Sequence, residues 1–413
     1  MVTHIEVNDY KCLRRVSVGC GAFNVLVGPN ASGKSTLVDV LGLLQDALNH
    51  RDGLTGAVRR RAGRLAELTW RTEGESFSVG IHTKRRHASV SPESAEWLTY
   101  ALCPALGDDG ALSVGGEVLV AGNRGAWRPP AWDILKFLAK KRSKSVRFDP
   151  AGVKVPGRRV LLARAGGTSA VFRPTTGRTW RLGPRPDHLA LSSVLEDPEQ
   201  FASALWLRQL LRERVHVLEL SPAAMRRPCP PDAPSSPVEN GLNLPLLVRQ
   251  IEGTERFAWW VAHLRTVLTG IETVSVVEQE FDRHLYLRVA YTNGLKVPSW
   301  LLSDGTLRFL ALTLLPYLPL EERIYIIEEP ENGIHPRAIE AVMQSLSSVY
   351  DGQVFLVTHS PLIVGLTDPE NLLCFSQDEE GATQIVRGSE HPDLLAWREG
   401  MPLGDLFAAG VLG

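Results

Sequence analysis

The sequence predicts an α/β fold in which a mixed, partly parallel sheet is flanked by helices and accompanied by an antiparallel β part. Three observations carry this. A short apolar stretch at residues 23–27 runs through a glycine-rich turn straight into an apolar-periodic helix at about 37–48. Two further apolar stretches, 323–329 and 354–357, each end in polar residues able to do chemistry, as strands of a parallel sheet do at their carboxyl ends. Alternating stretches at 4–7, 13–18 and 68–82 read as antiparallel strands, the last as a strand pair.

The turn that joins the first strand to its helix reads GPNASGKST and comprises Gly28, Pro29, Asn30, Ala31, Ser32, Gly33, Lys34, Ser35 and Thr36. This G-x-x-x-x-G-K-S spacing makes a phosphate-binding loop. Gly28 and Gly33 let the backbone curl so that successive N–H groups cradle phosphate oxygens. The helix that starts near Lys34 turns its positive end on the same anion. Lys34 reaches the terminal phosphates, and the Ser35 hydroxyl holds Mg²⁺. The expected ligand is a nucleoside triphosphate with Mg²⁺.

At 413 residues, the chain can bury a large core, as one elaborated domain or as two. Hydrophobic residues make up 44% and charged ones 22%, ordinary values for a soluble globular protein. No apolar run reaches the roughly 18 residues of a membrane span, and the polar start MVTHIEVNDY does not read as a signal peptide. Five scattered cysteines suggest neither a disulfide framework nor a zinc site, so a cytoplasmic location is expected.

The net charge of −1 hides an uneven distribution. Between Lys136 and Arg185 there are 14 Lys or Arg and a single acid, Asp149, with Phe137, Phe148, Phe172 and Trp180 interleaved. Lys136, Lys140, Lys141, Arg142, Lys144 and Arg147 are its densest part and the candidates for nucleic-acid contact, DNA or RNA. The alternative is a solvated hairpin whose arginines cover acidic flanks of the same protein. Elsewhere, 51–65 reads as irregular, 189–214 and 244–268 as helices, 222–237 as a proline-rich loop, and 274–280 and 286–291 as strands.

Glu328 and Glu329 end the strand RIYIIEE, where one carboxylate can hold hydrated Mg²⁺ and the next can orient or deprotonate water. By position, Glu328 takes the metal and Glu329 the water; two solvated acids at a strand end are the alternative. His359 follows the next strand, within reach of a γ-phosphate or the water, although a histidine in such a place is commonly structural. Ser303, Asp304 and Gly305 open the helix expected at 307–317, a second anion-binding end that suggests a second nucleotide held by a two-fold partner. A plain N-cap would explain Ser303 equally well.

Taken in order, GPNASGKST, LSDGTLRFLAL, YIIEEPENGIHP and VTHSP resemble the Walker A, signature, Walker B and switch-histidine motifs of ABC-type ATPases. The branch resembled is that of RecF, SMC and OLD proteins, and within it the short stand-alone relatives described only as predicted AAA-type ATPases. The resemblance covers about 1–85 and 187–413, including LSPAAMRRP, VENGLNLPLLVRQI and GMPLGDLFAAGVLG; residues from about 90 to 186 are not matched. It implies an ABC-type head carrying an inserted basic subdomain and no long coiled coil. The expected parts are 1–86, 87–186 (the basic insertion), 187–295 and 296–413.

By the same resemblance, the nucleotide is ATP, Lys34 and Ser35 bind phosphate and Mg²⁺, Glu329 is the catalytic glutamate and His359 the switch histidine. Glu328 takes the metal side of Walker B, where Asp is commoner, so its carboxylate reaches a methylene further and acts through water. Ser303 and Gly305 touch the γ-phosphate in trans, Asn332 to His335 form a dimer-contacting loop, and Lys11 touches the nucleotide. Gln45 is a poor candidate for the family's glutamine loop. About fifty residues follow His359, too few for the Toprim nuclease domain of OLD proteins.

The function expected is an Mg-dependent ATPase. It dimerises around two ATP molecules and works as a switch in a nucleic-acid-related complex of DNA repair or anti-phage defence. The effector activity would lie in a partner protein. An ATP-gated scaffold with little turnover is the alternative. A transporter subunit fits less well, given the long span from Thr36 to Ser303, and a small-molecule kinase least of all.

Overall fold

The structure is a computed structural model that describes residues 1–72, 74–85, 95–107, 110–122, 158–166, 169–174, 178–319, 321–395 and 402–411. The chain divides into two compact units. One comprises Met1–Gly21, Asn30–Val215 and Phe375–Ile385; the other comprises Ala22–Pro29, His216–Cys374 and Val386–Gly413.

The first unit is built on an eight-stranded sheet. Its order is Leu13–Gly19, Val2–Tyr10, Ser78–Lys84, Trp97–Leu106, Leu112–Gly122, Arg159–Ala165, Ala170–Phe172 and Trp180–Leu182. All seven neighbouring pairs are antiparallel. Strands from the stretch expected as an insertion thus continue the sheet that begins with Val2–Tyr10. The helix Lys34–Asn49 buries Leu37, Leu41, Leu44 and Leu48, a 3- and 4-residue spacing that puts them on one face.

Two expectations fail here. Residues 51–65 are not irregular: Gly53–Arg59 is a helix. Its glycines serve close packing, since a Cβ on Gly56 would fall 1.9 Å from His50 Nδ1. Arg61 then ties the segment to the loop helix, donating from Nε to Asp39 Oδ1 at 2.7 Å and from Nη1 to Asp46 Oδ2 at 2.8 Å. Burial pushes the Asp39 carboxyl up, but the Arg61 hydrogen bond and charge outweigh it and hold the group below the usual carboxylate range. The second failure is at 68–82, where short 3-10 turns (Leu65–Leu68, Trp70–Thr72) precede a single strand, Ser78–Lys84, paired with Val2–Tyr10. Arg71 and Thr72 sit at φ 53° and 56°, which breaks any extended run there.

The second unit holds most of a six-stranded sheet whose order is Val215–Leu218, Ile324–Glu328, Gln353–Val357, Phe23–Val27, Leu372–Gln377 and Thr383–Arg387. Ile324–Glu328 pairs in parallel with Gln353–Val357, which pairs in parallel with Phe23–Val27. All three are apolar over most of their length because helices cover such a sheet. Its core includes Val25, Leu356, Ile327, Leu310, Val342 and Leu264. A three-stranded antiparallel sheet, Ile271–Glu278, Leu285–Tyr291 and Lys296–Pro298, belongs to the same unit.

Helices here are shorter than the periodicity predicts. The stretch 244–268 is two helices, Leu244–Ile251 and Glu255–Val267, with Gly253 at φ 79° in the break and Thr254 capping the second. In the first unit, 189–214 likewise reduces to Pro198–Glu213, which begins where Asp197 caps and Pro198 enters. Among the described residues, no helix is long and apolar enough to cross a membrane, and the longest helices run 16 residues, so none of them forms a long coiled coil.

Candidate nucleotide-binding site

Gly28 and Pro29 follow the strand Phe23–Val27 in the second unit, and Asn30 to Thr36 belong to the first. Gly28, Ala31 and Gly33 lie at φ 144°, 62° and 101°, the left-handed curl that the spacing predicts. Gly33 is the N-cap of Lys34–Asn49, and Lys34 is 5% exposed. The segment Phe375–Ile385 braces the loop. Gln377 Nε2 donates to the Ala31 carbonyl at 3.0 Å, and Thr383 Oγ1 donates to the Ser32 carbonyl at 2.9 Å. A Cβ on Gly33 would fall 2.5 Å from Thr383 Oγ1, so only glycine fits. The Ser32 hydroxyl is shielded from solvent and has no partner among the described residues. A tight turn with a buried, uncommitted hydroxyl suits a triphosphate in the position the motif assigns to it.

In the second unit, three strand ends come together. Glu328 is in register with Val357, and Val357 with Leu26. Parallel pairing brings Gly28, Glu328–Glu329 and Thr358–His359 to one edge of the sheet, the carboxyl edge where such folds bind ligands. Glu328, Glu329 and His359 are all exposed. Glu329 leaves the strand at φ 46°, a left-handed conformation costing an L-residue roughly 1–2 kcal/mol. Hydrogen bonds hold it there: its N–H donates to the Val357 carbonyl at 2.8 Å, Asn332 N–H donates to its carbonyl at 3.1 Å, and Asn332 Nδ2 donates to its Oε2 at 2.5 Å. The carboxylate is thereby aimed by its own turn.

Ser303 caps the helix Asp304–Leu314, its hydroxyl accepting from Thr306 N–H at 3.2 Å. Arg226 pairs with Asp304 and also donates to the Leu302 carbonyl at 2.8 Å. Gly305 packs on the acid turn, where a Cβ would meet the Gly333 carbonyl at 2.2 Å, and Arg308 donates to the Asn332 carbonyl. The helix start and the turn bearing Glu329 are thus one packed unit within a single chain. Gly305→Ala should force them apart and cost about 1–3 kcal/mol by overpacking. A melting temperature within a degree of wild type would contradict that contact.

A cleft of about 410 Å³ opens beside Glu328 and Glu329, lined also by Glu219, Ser221, Arg308 and Asn332. Glu219 and Glu331 have no role in the sequence reading. Glu219 is visible only once Val215–Leu218 is seen to flank the acid strand. Among the described residues, no group of three His, Cys, Asp or Glu is arranged to hold a metal ion. Lys11 Nζ pairs with Asp39 at 3.0 Å. Gln45 donates to the carbonyls of Arg212 and Val215 at 3.3 and 2.7 Å, a structural employment. Lys136, Lys140, Lys141, Arg142, Lys144 and Arg147 lie outside the described residues.

Residues 23–82 and 252–365 match the family described as "AAA domain, putative AbiEii toxin, Type IV TA system". The fold is similar to two solved heads. One is an Smc head bound to the C-terminal winged-helix domain of ScpA, with a TM-score of 0.50, 14% identity, and coverage of 93% of this chain and 97% of that one. The other is an Smc head domain with an extended coiled coil from Pyrococcus furiosus, bound to the C-terminal domain of ScpA; its TM-score is 0.50 at 13% identity, covering 93% and 95%. No curated protein matches in sequence. The loop, the acid strand and the histidine strand fall inside the matched residues, and the fold is similar to that of the Smc heads; both findings are consistent with the resemblance to the ABC-type ATPases of the RecF and SMC branch that the motifs carry.

Proposed function

We propose that the chain binds ATP with Mg²⁺, hydrolyses it, and acts as a nucleotide-driven switch in a nucleic-acid-related complex whose effector is a separate protein. The observation that carries the catalytic part is the held conformation of Glu329, at one sheet edge with Gly28 and His359. In this reading, Lys34 and the loop N–H groups bind the phosphates, while Ser35 and Glu328 hold the metal. Glu329 orients the attacking water and takes its proton, and His359 fixes the γ-phosphate end. Magnesium, when bound, supplies positive charge against the phosphate oxygens. Ser303, Asp304 and Gly305 cap the nucleotide of a second copy, so hydrolysis reopens a homodimer.

DNA repair or anti-phage defence in the cytoplasm is the setting this reading favours, and residues 87–186 are its nucleic-acid-contacting part. It is supported by the 14 basic residues between Lys136 and Arg185. The test is ATP turnover with and without duplex DNA at low and moderate salt. Stimulation that fades as salt rises is the expected result. Steady turnover indifferent to DNA would overturn the nucleic-acid part and leave a protein-triggered ATPase; no turnover at all would leave an ATP-gated scaffold.

A further inference from the structure

The turn that presents His359 is not free-standing. Thr358 is fully buried, and its Oγ1 donates to Glu331 Oε1 at 2.6 Å while accepting from Ser360 N–H at 2.9 Å. The same Glu331 oxygen accepts from His359 N–H at 3.3 Å. Glu331 belongs to the turn that carries Glu329: Asn332 N–H donates to the Glu329 carbonyl at 3.1 Å and Ile334 N–H to the Glu331 carbonyl at 3.0 Å. One carboxylate therefore ties the two turns on which the candidate water-orienting acid and the candidate switch histidine stand. The second oxygen, Oε2, is shielded from solvent and has no partner among the described residues. Packing alone explains neither the charge nor its placement, because an idle buried carboxylate oxygen is unfavourable unless the group is needed where it is.

We propose that Glu331 is a positioning residue that clamps the Thr358–His359 turn to the Glu329 turn and fixes the distance between the two side chains. It touches no reacting atom. It acts by holding the backbone of one residue against the loop of the other, and an offset of about 1 Å between such groups can cost 10²-fold in rate. The proposal rests on the ATPase reading for its effect on turnover, whereas the clamp itself is a property of the folded chain.

The test compares Glu331→Ala, Thr358→Val and Thr358→Ser in the full chain. Two measurements are made: hydrogen exchange of the amides of His359 and Ser360, and kcat and KM for ATP. The first two variants should speed exchange at these amides by at least about tenfold, because each removes a bond that ties the turn. They should lower kcat by about 10- to 100-fold with KM nearly unchanged. Thr358→Ser keeps the hydroxyl and should restore most of both. If Glu331→Ala does not fold, Thr358→Val and Thr358→Ser carry the comparison. Exchange confined to wild-type rates at these amides overturns the clamp, as does a loss of protection spread evenly over the whole chain. Unchanged kcat in a variant whose turn has loosened overturns the positioning role. If the wild-type protein hydrolyses no ATP, it is the ATPase reading that fails, and exchange at His359 still decides the clamp.

Discussion

Glu329→Gln should bind ATP as tightly as wild type and turn it over about 10²- to 10⁴-fold more slowly, the usual worth of a positioned general base. The substitution is a clean one here. Asn332 Nδ2 donates to Oε2, and a glutamine carbonyl oxygen can accept the same bond, so the turn keeps its shape. The Glu329 N–H to Val357 carbonyl bond is a main-chain contact and survives as well. What disappears is the negative charge and the ability to take a proton. Binding by calorimetry beside single-turnover hydrolysis separates the two effects. Hydrolysis at the wild-type rate would remove Glu329 from the catalytic role. With ATP and Mg²⁺ saturating, the slow variant should also accumulate as a dimer; a monomer under those conditions would leave Ser303 as an N-cap and nothing more.

Lys34→Ala should weaken nucleotide binding by roughly 30-fold or more. The lysine is 5% exposed at the start of the helix whose positive end the loop presents. Deleting one side of a buried charge contact costs about 2–5 kcal/mol or more, which is roughly 30-fold in affinity at the least and several thousand-fold at the upper end. The alanine is a good helix former at a helical position, so the melting temperature without nucleotide should move little beside the loss of affinity. Titration of ATP into the variant is the measurement, and unaltered affinity would mean that the loop does not grip phosphate.

The parallel strands and the residues at their carboxyl ends were legible because their signals are local: an apolar run, then Gly28, Glu328–Glu329 or Thr358–His359. The helix Gly53–Arg59 was not, because its glycines answer to side chains and backbone outside it, Gly56 to His50 and Gly53 to Asp187 far along the chain, rather than to their own stretch. Glu331 escaped notice for a similar reason. In sequence, it is one acid among three in EEPE, and only the folded chain shows its oxygen against Thr358. Ser303 was ambiguous from the start; the structure gives its hydroxyl a cap's bond, and its contact with a second copy remains a proposal.

The bonds from Gln377 and Thr383 to the carbonyls of Ala31 and Ser32 carry a consequence for speed. A glycine-rich turn left to itself samples many shapes, and each ligand that arrives must wait for, and stabilise, the one that fits. Here two carbonyls on the turn are anchored by side chains of the same unit, and Gly33 has no room to move toward Thr383. In the proposed cycle, one nucleotide would exchange for the next without the cradle being remade. If the chain turns over nucleotide as proposed, the slow step of its cycle falls to larger movements, where a partner protein would exert control.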